Sequence, residues 1–67
     1  MITVLANGKQ RELPGEMSVS RFLELISVNP QYVVVELRGE IVHRQEYDNT
    51  LIHEGDRIEI VQIMGGG

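Results

Sequence analysis

The sequence predicts one small α+β domain, a mixed sheet of five strands with a single helix packed on one face. Three observations lead there. The chain has 67 residues, room for one core and not for a second. Apolar residues make up 42% of it, too many for a disordered segment. Apolar positions repeat with strand-like period in several short segments and with helical period in only one.

Residues 2–6 read as the first strand. Asn7-Gly8 follows, the strongest short hairpin signal, because both central positions of a type I′ turn need positive φ. Residues 9–13 return as a polar, edge-like strand, and Pro14-Gly15 breaks the pairing. Ser18 is placed to cap a helix. Val19, Phe22, Leu23 and Ile26 then recur at i, i+3, i+4 and i+7, one apolar stripe over about three turns. Asn29-Pro30 is the expected stop. Residues 32–37 form a valine-rich third strand, Arg38-Gly39-Glu40 turns it, and residues 41–43 make a short fourth. Residues 44–54 are a polar connection anchored by Leu51 and Ile52. A turn at Glu54-Gly55-Asp56 leads into a last strand over residues 57–64. The domain is expected to span residues 1–64, with residues 65–67 as a flexible glycine tail.

One sheet face should carry Ile2, Val4, Ala6, Leu13, Val35, Leu37, Ile58 and Ile60 against the helix stripe. Alternation sends Leu5, Val34, Val61 and Ile63 to the other face, which has no second helix to cover it. Scattered apolar side chains are ordinary on a surface. A contiguous patch more often marks a partner surface. These four, with Gly65 at the start of the tail, are the expected docking residues.

Several functions are disfavoured. The formal charge is −4, with 6 basic side chains scattered along the chain, so phosphate backbones are poor partners and a protein with a basic face is a better one. There is no cysteine, hence no disulfide, thiolate metal site or thiol nucleophile. No segment approaches the roughly 18–20 apolar residues of a membrane span, and no signal peptide is visible, so a cytoplasmic location is expected. His43 and His53 lie on different elements without a third ligand at metal-like spacing. Glu54 and Asp56 flank a turn glycine and read as a capped or solvated turn, not an acid/base pair. No nucleophile elbow or phosphate loop is present, and the chain reads as a non-enzyme.

The end of the chain is different. At a glycine background near 7%, three in a row arise by chance on the order of 3 times in 10,000, which favours a reason for Gly65-Gly66-Gly67. Glycines carry no side chain, so the run can thread a narrow channel into another protein's active site. Its terminal carboxylate is then unhindered. Activation as an acyl-adenylate would let an amine or thiol take the acyl carbon, giving a conjugated tag, or a sulfur donor take it, giving a thiocarboxylate. In a chain without cysteine, the carboxyl end is the one place for transferable sulfur.

From the Asn7-Gly8 hairpin to the end, the chain resembles the ThiS family of sulfur carriers, in the ubiquitin-like β-grasp superfamily. The telling stretches are Ile41-Val42-His43-Arg44, Glu54-Gly55-Asp56-Arg57-Ile58-Glu59-Ile60 and the final diglycine. Many members have asparagine where Arg38 stands and proline where His43 stands. The resemblance implies that Gly67, preceded by Gly66, is adenylated and then thiocarboxylated to supply sulfur for thiamin thiazole synthesis. It implies three partners: a ThiF-like adenylyltransferase using MgATP, a sulfur donor system fed by a cysteine desulfurase, and thiazole synthase (ThiG-like). The chain itself would bind no cofactor tightly and would be a monomer when free. The alternatives are a carrier for molybdopterin synthase or another thiolation pathway, a protein modifier, and an interaction domain with an inert tail.

Overall fold

The computed structural model describes residues 1–63. Its strands are β1 (Ile2–Ala6), β2 (Lys9–Leu13), β3 (Met17–Ser18), β4 (Val33–Leu37), β5 (Glu40–Val42), β6 (Leu51–Ile52) and β7 (Arg57–Gln62), with one α-helix, α1 (Val19–Leu25). The main sheet is mixed and five-stranded, in the order β2-β1-β7-β4-β5. The β1 and β7 strands run parallel at its centre, and every other pair in it is antiparallel. This is the predicted α+β architecture.

The core lies between the sheet and α1. Val4, Leu13, Val35, Leu37 and Ile58 are buried there with Val19, Phe22 and Leu23, while Ile2, Ala6, Ile26 and Ile60 pack at its margin. The register explains this: Val35 is opposite Ile60, and Leu37 opposite Ile58, so both pairs point to one face. Val33, Tyr47 and Ile52 complete the core. The polar connection hides these last two. Leu51–Ile52 is a strand, paired antiparallel with Met17–Ser18 in a second, two-stranded sheet. Two apolar residues are too short a run to show a period, so the sequence reads them as anchors only.

The start of α1 is held by that same connection. Ser18 Oγ accepts from the Arg21 N–H at 3.0 Å, as expected of an N-cap. The Val19 and Ser20 N–H groups donate to the Thr50 and Tyr47 carbonyls at 2.9 and 3.0 Å. Three otherwise orphaned donors of the first turn are thereby satisfied.

The end of α1 differs from the sequence reading. The helix is only 7 residues long and stops ahead of Asn29-Pro30. Ser27 takes φ +62, and the Ser27 and Val28 N–H groups donate to the Glu24 and Leu23 carbonyls at 3.0 and 2.9 Å. This is a Schellman closure with serine in the left-handed position usually held by glycine. The hydrogen bonds it makes end the helix before proline can. Pro30–Tyr32 then forms a single 3₁₀ turn, which takes Tyr32 out of the predicted third strand. The fourth strand is Glu40–Val42, so His43 falls outside it and begins a second 3₁₀ turn at Arg44–Glu46.

The Asn7-Gly8 turn does more than reverse the chain. Asn7 and Gly8 have φ +50 and +81, as a type I′ turn requires. The Asn7 side chain also spans to β7. Its Nδ2 donates to the Ile60 carbonyl at 3.1 Å, and its Oδ1 accepts from the Ile60 N–H at 2.7 Å. The carboxamide thus supplies the donor and acceptor that a further residue of β1 would have supplied, extending the parallel ladder by one rung.

Candidate functional site

The open face of the sheet forms the candidate site. It is built around β7, whose two neighbours are β1 and β4. Val61 lies directly opposite Val34, and Glu59 directly opposite Glu36. Glu36 in turn faces Ile41 across β4 and β5. Leu5 lies opposite Arg57 on the other side. The sequence-derived residues Leu5, Val34, Val61 and Ile63 are all exposed on this face. Val61 is the most open of them at 61%.

Two exposed side chains join the patch that sequence reasoning left out. Ile41 is 59% exposed and sits on the same face through its pairing with Glu36. A three-residue strand is too short to show alternation, so its orientation comes only from the register. Tyr32 is exposed beside the far end of β7, where its carbonyl accepts from the Ile63 N–H at 2.7 Å.

The face is apolar in patches and acidic in between. Glu36 and Glu59 are like charges directly opposite, an arrangement that costs stability in an isolated sheet. Among the described residues neither belongs to an ion pair. The chain leaves this face through Ile63. The expected reactive residues Gly66 and Gly67, and the docking residue Gly65, lie outside the described residues.

The other polar groups singled out in the sequence are structural. Asp56 is buried, accepting from the Arg38 guanidinium at 2.5 Å and from the His53 N–H at 2.8 Å. It caps the turn that presents its carbonyl to the Leu5 N–H at 2.9 Å, joining β7 to β1. The capped-turn reading of Glu54-Gly55-Asp56 therefore holds, with Asp56 shielded from solvent. The His53 ring stands 3.9 Å from both Asp56 and Glu16, and His43 is exposed. Among the described residues no group of three or more His, Asp or Glu side chains is placed to hold a metal. Burial raises the Tyr47 pKa above the usual tyrosine value, and the nearby Arg44 charge lowers it by less. Its hydroxyl donates to the Val33 carbonyl at 3.5 Å and takes no part in the open face.

Comparison with known proteins bears on this face and the segment that follows it. The ThiS family model matches residues 4–67, nearly the whole chain and including the terminal glycines. The chain belongs to the ThiS family. Its structure superposes on the thiamine biosynthesis protein (ThiS) of Geobacter metallireducens with a TM-score of 0.86 at 35% identity, covering 98% of this chain and 100% of that one. The superposition confirms the ubiquitin-like β-grasp fold. A thiazole synthase of Paramagnetospirillum magneticum is 34% identical over 64 residues, which is 96% of this chain and 20% of that protein. This chain thus spans about one fifth of the length of that relative. An uncharacterized protein, ycf40, of Trieres chinensis is 28% identical over 65 residues, covering 97% of this chain and 89% of the relative. No helix of the described residues is long and apolar enough to cross a membrane.

Proposed function

We propose that this protein is a sulfur carrier of thiamin biosynthesis, acting as a co-substrate and not as an enzyme. The observation that carries the reading is that the family match runs to residue 67, through a glycine run that follows a central strand with an uncovered apolar face. In this reading the Gly67 carboxylate attacks the α-phosphorus of MgATP held by an adenylating partner, and pyrophosphate leaves. A sulfur nucleophile then attacks the acyl carbon, and AMP leaves. The product is a C-terminal thiocarboxylate, whose sulfur passes to the acceptor.

The division of labour follows from the fold. The sheet face with Leu5, Val34, Ile41, Val61 and Ile63 supplies binding area for the adenylating partner, while the glycines reach its active site. Glu36 and Glu59 favour a partner with basic side chains at that position. The nucleotide belongs to the partner, and this chain needs no tightly bound cofactor. Thiazole synthase is the acceptor this reading favours. The support is that a stretch similar to nearly all of this chain lies within a thiazole synthase polypeptide. A carrier and its acceptor on one chain are held at high effective concentration.

The test is adenylation. Pyrophosphate release with the matching ThiF-like enzyme should be abolished when Gly66 and Gly67 are deleted, with thermal unfolding unchanged. Equal release from the shortened chain would overturn the reading.

A further inference from the structure

The outer edge of the sheet at β2 carries a surface separate from the open face. β2 stands first in the sheet order, so it is paired on one side only. The two-residue turn at Asn7-Gly8 makes Ala6 and Lys9 a hydrogen-bonded pair, and non-bonded and bonded pairs alternate from there. Leu5 and Thr3 fall in non-bonded pairs, and their backbones turn to the far side of β1. The Leu5 N–H donates to the Asp56 carbonyl at 2.9 Å, and the Thr3 carbonyl accepts from the Gly55 N–H at 2.8 Å. Their partners on β2, Gln10 and Glu12, therefore aim their own N–H and C=O groups outward from the sheet. Among the described residues no backbone group answers them.

The side chains beside that edge are sorted by charge. Lys9 lies opposite Ala6 and Arg11 opposite the buried Val4, so both start on the helix side. Gln10 and Glu12 alternate with them and start on the open face. Among the described residues neither Lys9 nor Arg11 forms an ion pair. α1 stops at Leu25, and a groove of about 660 Å³ lies between its end and β2. Ile26, Val28 and Ile60 give it an apolar floor, and Lys9 and Arg11 stand at its rim. Among the described residues no acidic side chain lines it. Gln10 lines it as well, so the groove and the free edge are continuous.

We infer that β2 and this groove receive an extended acidic segment of another polypeptide, added to the sheet as a sixth strand. The Gln10 and Glu12 backbones supply its ladder hydrogen bonds, and alternate side chains of the segment fall on the helix side. There its carboxylates meet Lys9 and Arg11 across the ladder, and an apolar side chain between them lies over Ile26 and Val28. Charge decides the occupant. A second copy pairing antiparallel through β2 would set cation against cation on the helix side, and like charges directly opposite are destabilising. An acidic segment turns the same two side chains into attractive partners. The inference does not rest on the proposed sulfur chemistry, and the segment leaves the open face free for the adenylating partner.

The probe is the acetylated, amidated peptide Thr-Glu-Thr-Ile-Thr-Glu-Thr, whose alternation places Glu, Ile and Glu on one face. It is titrated into the isotope-labelled 67-residue protein and followed by nuclear magnetic resonance. Saturable shifts are expected at the Gln10 and Glu12 amides and the Ile26 and Val28 methyls, and hydrogen exchange at those two amides should slow. Affinity should fall about tenfold, the scale of two exposed ion pairs, when both peptide glutamates are replaced by glutamine. The protein variant K9Q/R11Q should lose as much with the original peptide. Both substituted side chains are exposed on an edge strand, and the amide spectrum reports whether the variant keeps its fold. The glutamine peptide makes the same test on the unaltered protein. An affinity unmoved by either change would overturn the inference. So would shifts centred on Val34 and Val61, exchange at Gln10 and Glu12 unchanged by saturating peptide, or no saturation by about 5 mM peptide.

Discussion

Replacing Asn7 by glycine separates two roles that the wild-type residue combines. Glycine tolerates the φ of +50 at least as well as asparagine, so the turn itself is preserved. What is lost is the pair of hydrogen bonds to the Ile60 backbone, at 3.1 and 2.7 Å. Each is worth about 0.5–1.5 kcal/mol net, and the low half of that range applies where water can replace the partner. The added freedom of glycine in the unfolded chain contributes roughly 0.4–1 kcal/mol more. The expected loss for Asn7→Gly is about 2 kcal/mol, or roughly 8–16 °C in Tm for a domain of this size. A domain this small has only a few kcal/mol, roughly 3–5, to lose. Asn7→Asp keeps the turn and the acceptor but removes the donor, and should lose about 1 kcal/mol. Urea unfolding followed by circular dichroism gives both values, and hydrogen exchange at the Ile60 amide should quicken. A loss below about 0.5 kcal/mol for Asn7→Gly, with Ile60 exchange unchanged, would show that Asn7 serves the turn alone.

Three further outcomes are expected. Val61→Asp places a charge in the middle of the open face and should weaken binding to the adenylating enzyme by roughly 1–3 kcal/mol in calorimetric titration. Because Val61 is 61% exposed in the free domain, stability should fall by less, about 1 kcal/mol; unchanged affinity would move the docking surface elsewhere. Gly66→Val should leave Tm unchanged and impair adenylation, since a β-branched side chain thickens and stiffens the segment a narrow channel must admit; wild-type kinetics would contradict this. Tyr47, with its pKa raised by burial, should make the domain less stable at alkaline pH. Its folded form holds the proton above about pH 10 while the unfolded form releases it, so the contribution is complete below pH 10 and is lost as pH rises through the folded value. Tyr47→Phe should flatten that decline in pH-dependent melting curves, and an equally steep decline would assign it to other groups.

The central features of the fold are written plainly in the chain. Asn7-Gly8 sets the first hairpin, the Val19/Phe22/Leu23/Ile26 stripe sets the helix face, and alternation in the valine-rich and final strands divides core from open face. Each is a local signal with a period or a turn chemistry of its own. What stayed hidden depends on partners distant in sequence. The second role of Asn7 needs Ile60, 53 residues away. The short β6 strand gains its identity from Met17 and Ser18, and Tyr47 becomes a core residue because the same connection folds over the start of α1. The early end of α1 was masked by the stronger stop signal at Asn29-Pro30, since serine at Ser27 gives no hint of a left-handed turn. In the candidate site, Leu5, Val34, Val61 and Ile63 were legible from alternation, whereas Ile41 required the register with Glu36.

The proposed carrier role depends on the chemistry of the carboxyl end, and intact-protein mass spectrometry reads that end directly. The full chain is incubated with the ThiF-like enzyme, MgATP and a sulfur source, in parallel with a chain lacking Gly66 and Gly67. A sulfur carrier predicts that the full chain gains the mass difference between one sulfur and one oxygen, localised to Gly67 by fragmentation, while the shortened chain gains nothing. A full chain that keeps its original mass, or that appears as lysine-linked conjugates of higher mass, would contradict it.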